Sequence, residues 1–139
     1  MSSIEKIAAK KLLWVAPLAG AIAAGINSIL FLIGSAIGLI DAAVLVPGLN
    51  GPITIGPIII SSVVPSLIAG LVLGGMNYFL NKPFKVFRIV ALVLVVLSFA
   101  NPFMGIPGIP LGMGIWLNLM HVVVAGTVVY CFGRFTAKA

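Results

Sequence analysis

The chain is very poor in the side chains that usually carry chemistry. Among its 139 residues, Glu5 and Asp41 are the only acids, His121 the only histidine and Cys131 the only cysteine. Two distant carboxylates leave little basis for paired-carboxylate catalysis or a carboxylate-rich metal cage. A closed zinc site and an intrachain disulfide are excluded, because each needs more of these residues than the chain has.

Signature motifs of soluble enzymes are missing as well. The sequence has no phosphate-binding glycine loop, no His-Glu-x-x-His and no nucleophile elbow. His121 and Cys131 are ten residues apart, or about 15 Å along one predicted helix, which is too far for direct chemistry between them. We therefore expect a protein that is not an enzyme and that holds no closed metal site.

Charge is scarce and apolar residues dominate. Charged residues make up 7% of the chain and hydrophobic residues 62%, whereas soluble domains contain roughly 25% charged residues. This composition is typical of a membrane protein. With about 20 residues per span, the length predicts one domain, residues 1–139, with four spans.

The positive charges are confined to three short stretches. All eight Lys and Arg residues lie within 6–11, 82–88 and 134–138, and long uncharged runs separate these stretches. With four spans, the positive-inside rule places all three stretches and both termini in the cytoplasm. The net charge of +6 is then explained by anchors at span ends, and no nucleic-acid partner is expected.

The predicted fold is all-α, a polytopic bundle of four transmembrane helices. The spans are expected at about 12–33, 58–80, 84–99 and 111–132. The two outer connections, 34–57 and 101–114, are apolar and rich in Gly and Pro. We expect them to fold over the outer helix ends, with a short interfacial helix at 37–46.

Small residues predict how two of the helices pack. They recur every four residues on the first and second spans, at Ala16, Gly20 and Ala24 and at Ser66, Gly70 and Gly74. Such stripes let helices approach closely in lipid, so these two are expected to face each other. The third span has almost no small residues, and we expect it to face lipid over much of its surface.

A layer of polar residues is predicted within the outer half of the bundle. Residue counting puts five polar side chains at similar depth: Asn27, Ser62, Ser66, Asn118 and His121. Polar groups in hydrocarbon need partners, so we expect these side chains to converge. The imidazole of His121 has three open roles: an interhelical hydrogen bond, a proton or substrate contact, or axial ligation of haem or chlorophyll.

With the spans placed, the layout resembles a family of small bacterial four-helix membrane proteins known only as a domain of unknown function. The resemblance rests on the basic start, Asn27 in the first span, Pro65 in the second and Met120-His121 in the last. It covers nearly the whole chain. The resemblance implies a fold and a cellular place, and no reaction.

Two functional hypotheses follow. The first is a non-enzymatic subunit of a bacterial inner membrane, packing its helices against copies of itself or against other membrane proteins. The second is transport of a proton or small molecule, or binding of a hydrophobic ligand or pigment, at the polar layer around His121.

Overall fold

A computed structural model of the chain describes residues 3–138, so Met1, Ser2 and Ala139 lie outside it. After a 3-10 turn, Ala9–Lys11, five helices follow. They are α1 (Leu12–Ala36), α2 (Ile55–Phe79), α3 (Pro83–Ser98), the short α4 (Asn101–Gly105) and α5 (Leu111–Phe135). No strand forms within residues 3–138, and the only bridge there joins Val46 and Gly51.

The predicted spans are confirmed. Four helical segments are long and apolar enough to cross a membrane: Ala9–Ala36, Ile55–Phe79, Pro83–Gly105 and Leu111–Phe135. Their ends differ from the predicted ones by at most a few residues, except that α4 extends the third segment into the predicted connection. The chain is a multi-pass membrane protein.

The interfacial helix predicted at 37–46 is wrong. The chain instead reverses just after α1, where the amides of Leu39 and Ile40 both donate to the carbonyl oxygen of Gly34, at 2.8 and 3.0 Å. Gly38 adopts φ +78, a left-handed conformation that favours glycine and ends a helix. Burial of Ile40, which is 8% exposed, then holds this loop against the bundle.

The two small-residue stripes face each other, as predicted, along an antiparallel contact of α1 and α2. A Cβ at Gly70 would lie 2.7 Å from the Cβ of Ala16, and one at Gly20 would lie 3.1 Å from the Cα of Val63. Glycine is required there because the two backbones approach too closely for a larger side chain.

The α3 helix is the most exposed of the four, as predicted. Only 11% of its most apolar stretch is buried, against 28 to 33% in the other spans. It packs on α2 and α5, while α1 packs between α2 and α5 on the opposite side. The bundle is therefore tight around α1 and loose along α3.

The segments that carry the cations meet at one end of the bundle, here called the basic end. The amide of Glu5 donates to the carbonyl of Asn81 at 2.8 Å, and the amide of Ala8 donates to the carbonyl of Thr136 at 2.8 Å. The opposite end, covered by residues 37–54 and α4, is here called the loop end.

Candidate functional site

A cavity of about 300 Å³ lies beneath the loop end. Its roof comes from the loop between α1 and α2 and from α4, and its walls come from α1, α2 and α5. The lining is mostly apolar, and its polar side chains are Asn27, Ser61, Asn101 and His121. A largely apolar cavity with a few polar groups is the usual form of a small-molecule site.

Asn27 connects three helices beside this cavity. It is 3% exposed, and its Nδ2 donates to Ser62 Oγ at 3.0 Å and to the carbonyl oxygen of Met120 at 3.2 Å. Both donor hydrogens are therefore used. Its Oδ1 is buried and accepts no hydrogen bond within residues 3–138, so it is an acceptor without a donor.

His121 is paired with Ser98 of α3, at 3.4 Å between Nδ1 and Oγ. The Ser98 hydroxyl donates its single hydrogen to the carbonyl of Val95 at 2.7 Å. If Ser98 keeps that bond, its Oγ can only accept from His121, and the neutral ring then carries its proton on Nδ1. The lone pair of Nε2 remains available as a hydrogen-bond acceptor.

Pro65 leaves a third acceptor without its usual partner. In an α-helix the carbonyl of Ser61 would receive the amide of residue 65, and proline has no N–H. Neither adjacent serine hydroxyl replaces it, since Ser61 and Ser62 both donate to the carbonyl of Ile58, at 3.1 and 2.9 Å. Ser66 donates to the carbonyl of Ser62 at 2.8 Å.

A second cavity, of about 380 Å³, continues from the first along the seam between α2 and α3. Ser61, His121 and Val124 line both cavities. The remainder of the seam cavity is almost wholly apolar and runs beside α3 from Phe87 to Ser98, which is about 16 Å of helix. We call the first cavity the chamber and the second the groove. His121 thus lies where the two meet.

The five predicted site residues form two groups instead of one. Asn27 and Ser62 are bonded to each other between α1 and α2, and Ser66 bonds only within its own helix. On the other side of the cavity, His121 contacts α3, and Asn118 Nδ2 donates to the carbonyl of Phe99 at 3.0 Å. Asn118 and Ser66 line neither cavity.

Two relevant residues were missed by the sequence argument. Ser98, the partner of His121, lies at the last position of α3, and Ser61 lines both cavities. Counting about 1.5 Å per residue from the basic end puts Ser98 and His121 at the same level, roughly 21 to 23 Å along their helices. That depth count would have found Ser98 if the third span had been included.

Metal ligands are not gathered at this site or elsewhere in residues 3–138, since no group of three His, Cys, Asp or Glu side chains lies close enough to hold an ion. Cys131 is buried in the apolar cluster near the basic end. Its thiol is thus remote from the polar layer.

Comparison with known proteins gives one match. A family model of a family of unknown function, DUF6069, matches residues 8–138. No curated protein and no solved structure matches the chain. The match covers nearly all of the residues that build the four spans and both cavities, and it confirms the resemblance described from the sequence. The chain therefore belongs to the DUF6069 family of unknown function.

Proposed function

We propose that this non-enzymatic membrane protein binds a lipophilic molecule that carries a hydroxyl or N–H donor. The donor would lie in the chamber beside Asn27 and His121, and the apolar part would lie in the groove between α2 and α3. This is the second of the two functions considered from the sequence. It is placed first because a cavity lined by Asn27 and His121 lies beneath the loop end.

The observation that carries the proposal is a buried acceptor without a donor. Asn27 lines the chamber, and its Oδ1 accepts no hydrogen bond within residues 3–138. Pro65 also supplies no amide to the carbonyl of Ser61, and His121 lines the same chamber. In hydrocarbon no water compensates for a missing partner, and an unsatisfied polar group is costly. A ligand that donates a hydrogen bond would relieve this cost, whereas one that only accepts would not.

The groove supports a lipid-like ligand over a soluble one. It is built largely from Ile, Val, Leu, Ala and Phe side chains of α2, α3 and α5, and α3 is the least buried of the four spans. A tail could enter sideways from the bilayer without crossing the roof of the loop end. The groove is about 16 Å long, which matches an extended chain and not a compact solute.

The test compares two probes that differ in one donor. A long-chain alcohol and its methyl ether are titrated against the purified protein in detergent. One hydrogen bond contributes about 0.5 to 1.5 kcal/mol, so the alcohol should bind roughly threefold to tenfold more tightly. Equal affinity for alcohol and ether would overturn the proposal.

A variant pair assigns the effect to the site. His121→Phe removes the acceptor and keeps a ring, and it should abolish the preference for the alcohol. Val122→Phe is the matched control, since Val122 lies one residue away and is exposed on the bundle surface. The same preparation tests pigment binding through His121 Nε2, because protein that retains haem or chlorophyll is coloured.

Self-association remains a second candidate, supported by one surface feature. Ala21 and Gly25 lie four residues apart on the exposed face of α1, and no atom lies within 4 Å of a Cβ built at Gly25. This small-residue pair permits a close approach of another helix, from a second copy or another membrane subunit. The membrane would be a bacterial inner membrane, with the basic end on its cytoplasmic side.

Sedimentation in detergent tests this candidate. Gly25→Leu should shift an oligomer toward monomer, because the added side chain blocks close approach. Gly75→Leu is the control, since Gly75 is also open but has the large exposed Leu71 four residues away. A monomer at all protein concentrations in the unmodified chain would rule the candidate out.

A further inference from the structure

A third, separate cavity lies at the basic end. It measures about 500 Å³ and is bounded by the segment before α1, the start of α3 and the end of α5. Five of the eight cations of the chain line it: Lys6, Lys82, Lys85, Arg88 and Lys138. Glu5 is the only acid in the lining, so five positive charges against one negative charge leave a formal +4.

This convergence goes beyond what membrane orientation requires. The positive-inside rule asks only that cations lie on one side of the bilayer, not that they surround one cavity. Lys10, Lys11 and Arg134 satisfy the rule without lining the cavity. The arrangement of the other five is set by tertiary contacts and calls for its own explanation.

The cavity walls are fixed by hydrogen bonds. Lys6 Nζ donates to the carbonyl of Asn77 at 2.6 Å, and the amide of Ile7 donates to the side-chain oxygen Oδ1 of Asn77 at 2.8 Å. Together with the amide bonds of Glu5 and Ala8, these contacts hold the basic segment before α1 against α2 and α5. The cavity is thus a built feature and not a gap between loose tails.

The cations of the cavity that have no partner among the described residues indicate that its ligand is an anion. Lys82 lies 3.4 Å from Glu5, and the guanidinium of Arg88 lies 5.5 Å from the ring centre of Phe84. Within residues 3–138, Lys85 and Lys138 form neither a salt bridge nor a side-chain hydrogen bond. The α3 helix also begins here, without a side-chain cap or an acid in its first turn, which adds to the positive potential.

We propose that this cavity binds the phosphate headgroup of an anionic phospholipid. The cations and the start of α3 would hold the phosphate oxygens, since basic pockets between transmembrane helices bind acidic headgroups. Phe84, Phe132 and Ile4 supply apolar lining beside the charges, which suits the glycerol and upper acyl groups. The cavity lies at the helix ends, the level at which headgroups are found.

The experiment counts lipid molecules bound to the full chain in detergent by native mass spectrometry. Phosphatidylglycerol should bind one to one and phosphatidylcholine should not. The variant Lys85→Gln/Lys138→Gln should weaken phosphatidylglycerol binding by tenfold or more. Lys10→Gln/Lys11→Gln is the matched control, because it removes the same charge from the same end outside the cavity, and it should change binding less than threefold.

Three results would overturn the proposal. Equal weakening by both charge variants would mean general attraction to an acidic surface. Equal binding of both lipids would mean that the phosphate charge is not recognised. Inorganic phosphate that displaced phosphatidylglycerol at equal concentration would make the cavity a site for the free ion. Lys85→Arg/Lys138→Arg should keep binding, which separates loss of charge from loss of fold.

Discussion

Asn27 Nδ2 donates a hydrogen bond of 3.0 Å to Ser62 Oγ between two helices that also approach closely at Ala16 and Gly70. The same amide leaves its oxygen buried without a donor. One side chain therefore links α1 to α2 by a hydrogen bond and also leaves an acceptor without a donor beside a cavity. The proposed binding site rests on this combination.

Replacing Asn27 by Leu should affect ligand binding more than stability. The interhelical hydrogen bond is worth about 0.6 kcal/mol on average in a membrane bundle, and the unpaired oxygen disappears with the side chain. We expect the free energy of unfolding to change by about 1 kcal/mol or less, while the preference for a long-chain alcohol over its ether becomes smaller. A large loss of stability with an unchanged preference would contradict the proposed site.

Ser98→Ala should act on the site through His121. Without Ser98 Oγ the ring loses the acceptor for its Nδ1 proton, at 3.4 Å, and the proton is free to move to Nε2. The alcohol should then bind about threefold to tenfold more weakly, although Ser98 need not touch it. Ser98→Thr keeps the hydroxyl and should restore binding, measured by the same titration. Unchanged binding in Ser98→Ala would show that Ser98 does not act on the site through His121.

Gly70→Ala should destabilise the bundle. The added methyl would lie 2.7 Å from the Cβ of Ala16, so the α1–α2 contact must open, at a cost of about 1 to 3 kcal/mol. Gly75→Ala is the control, because nothing lies within 4 Å of its Cβ and alanine favours the helix. Unfolding in mixed detergent measures both, and equal stability of the two variants would contradict the packing described here.

Gly34→Ala should displace Trp116. An alanine methyl would collide with the indole ring, whose Nε1 donates to the carbonyl of Leu30 at 2.9 Å. We expect this bond to break and the indole emission to shift, measured in a Trp14→Phe background so that one tryptophan reports. Gly25→Ala, at an open position of the same helix, should leave the spectrum unchanged.

Acid should loosen the segment before α1. The hydrogen bond from Ser3, with Lys82 as the next cause, lowers the pKa of Glu5 below its ordinary value. A lowered folded-state pKa stabilises docking above the unfolded pKa, and this stabilisation is lost as the pH falls through the folded pKa.

Hydrogen exchange at the amides of Glu5 and Ala8, which donate to Asn81 and Thr136, measures this effect. Protection should fall as the pH drops through the lowered pKa of Glu5. Glu5→Gln should remove the pH dependence, while Asp41→Asn, at the only other acid, should preserve it. If protection still depended on pH in Glu5→Gln, a group other than Glu5 would be responsible for the loosening.

The spans could be predicted because their signals are local. A run of apolar residues of sufficient length favours a helix in lipid, since a helix satisfies its backbone hydrogen bonds within the segment itself. The contact between the stripes of α1 and α2 was also predictable. Each stripe is a four-residue period on one helix, and helices in lipid pack closely where both carry small residues. The loop at 37–46 was not, because its reversal depends on the position of Ile40 against other helices.

The sequence by itself determined the number of apolar helices, their approximate ends and the separation of the cations from them, because hydrophobicity and charge act on each segment alone. Only the tertiary structure decided that Asn27 and His121 have different partners and that five cations surround one cavity. The rotation of each helix about its axis and the choice of its neighbours settle which side chains meet. Both are set by contacts between residues far apart in the chain.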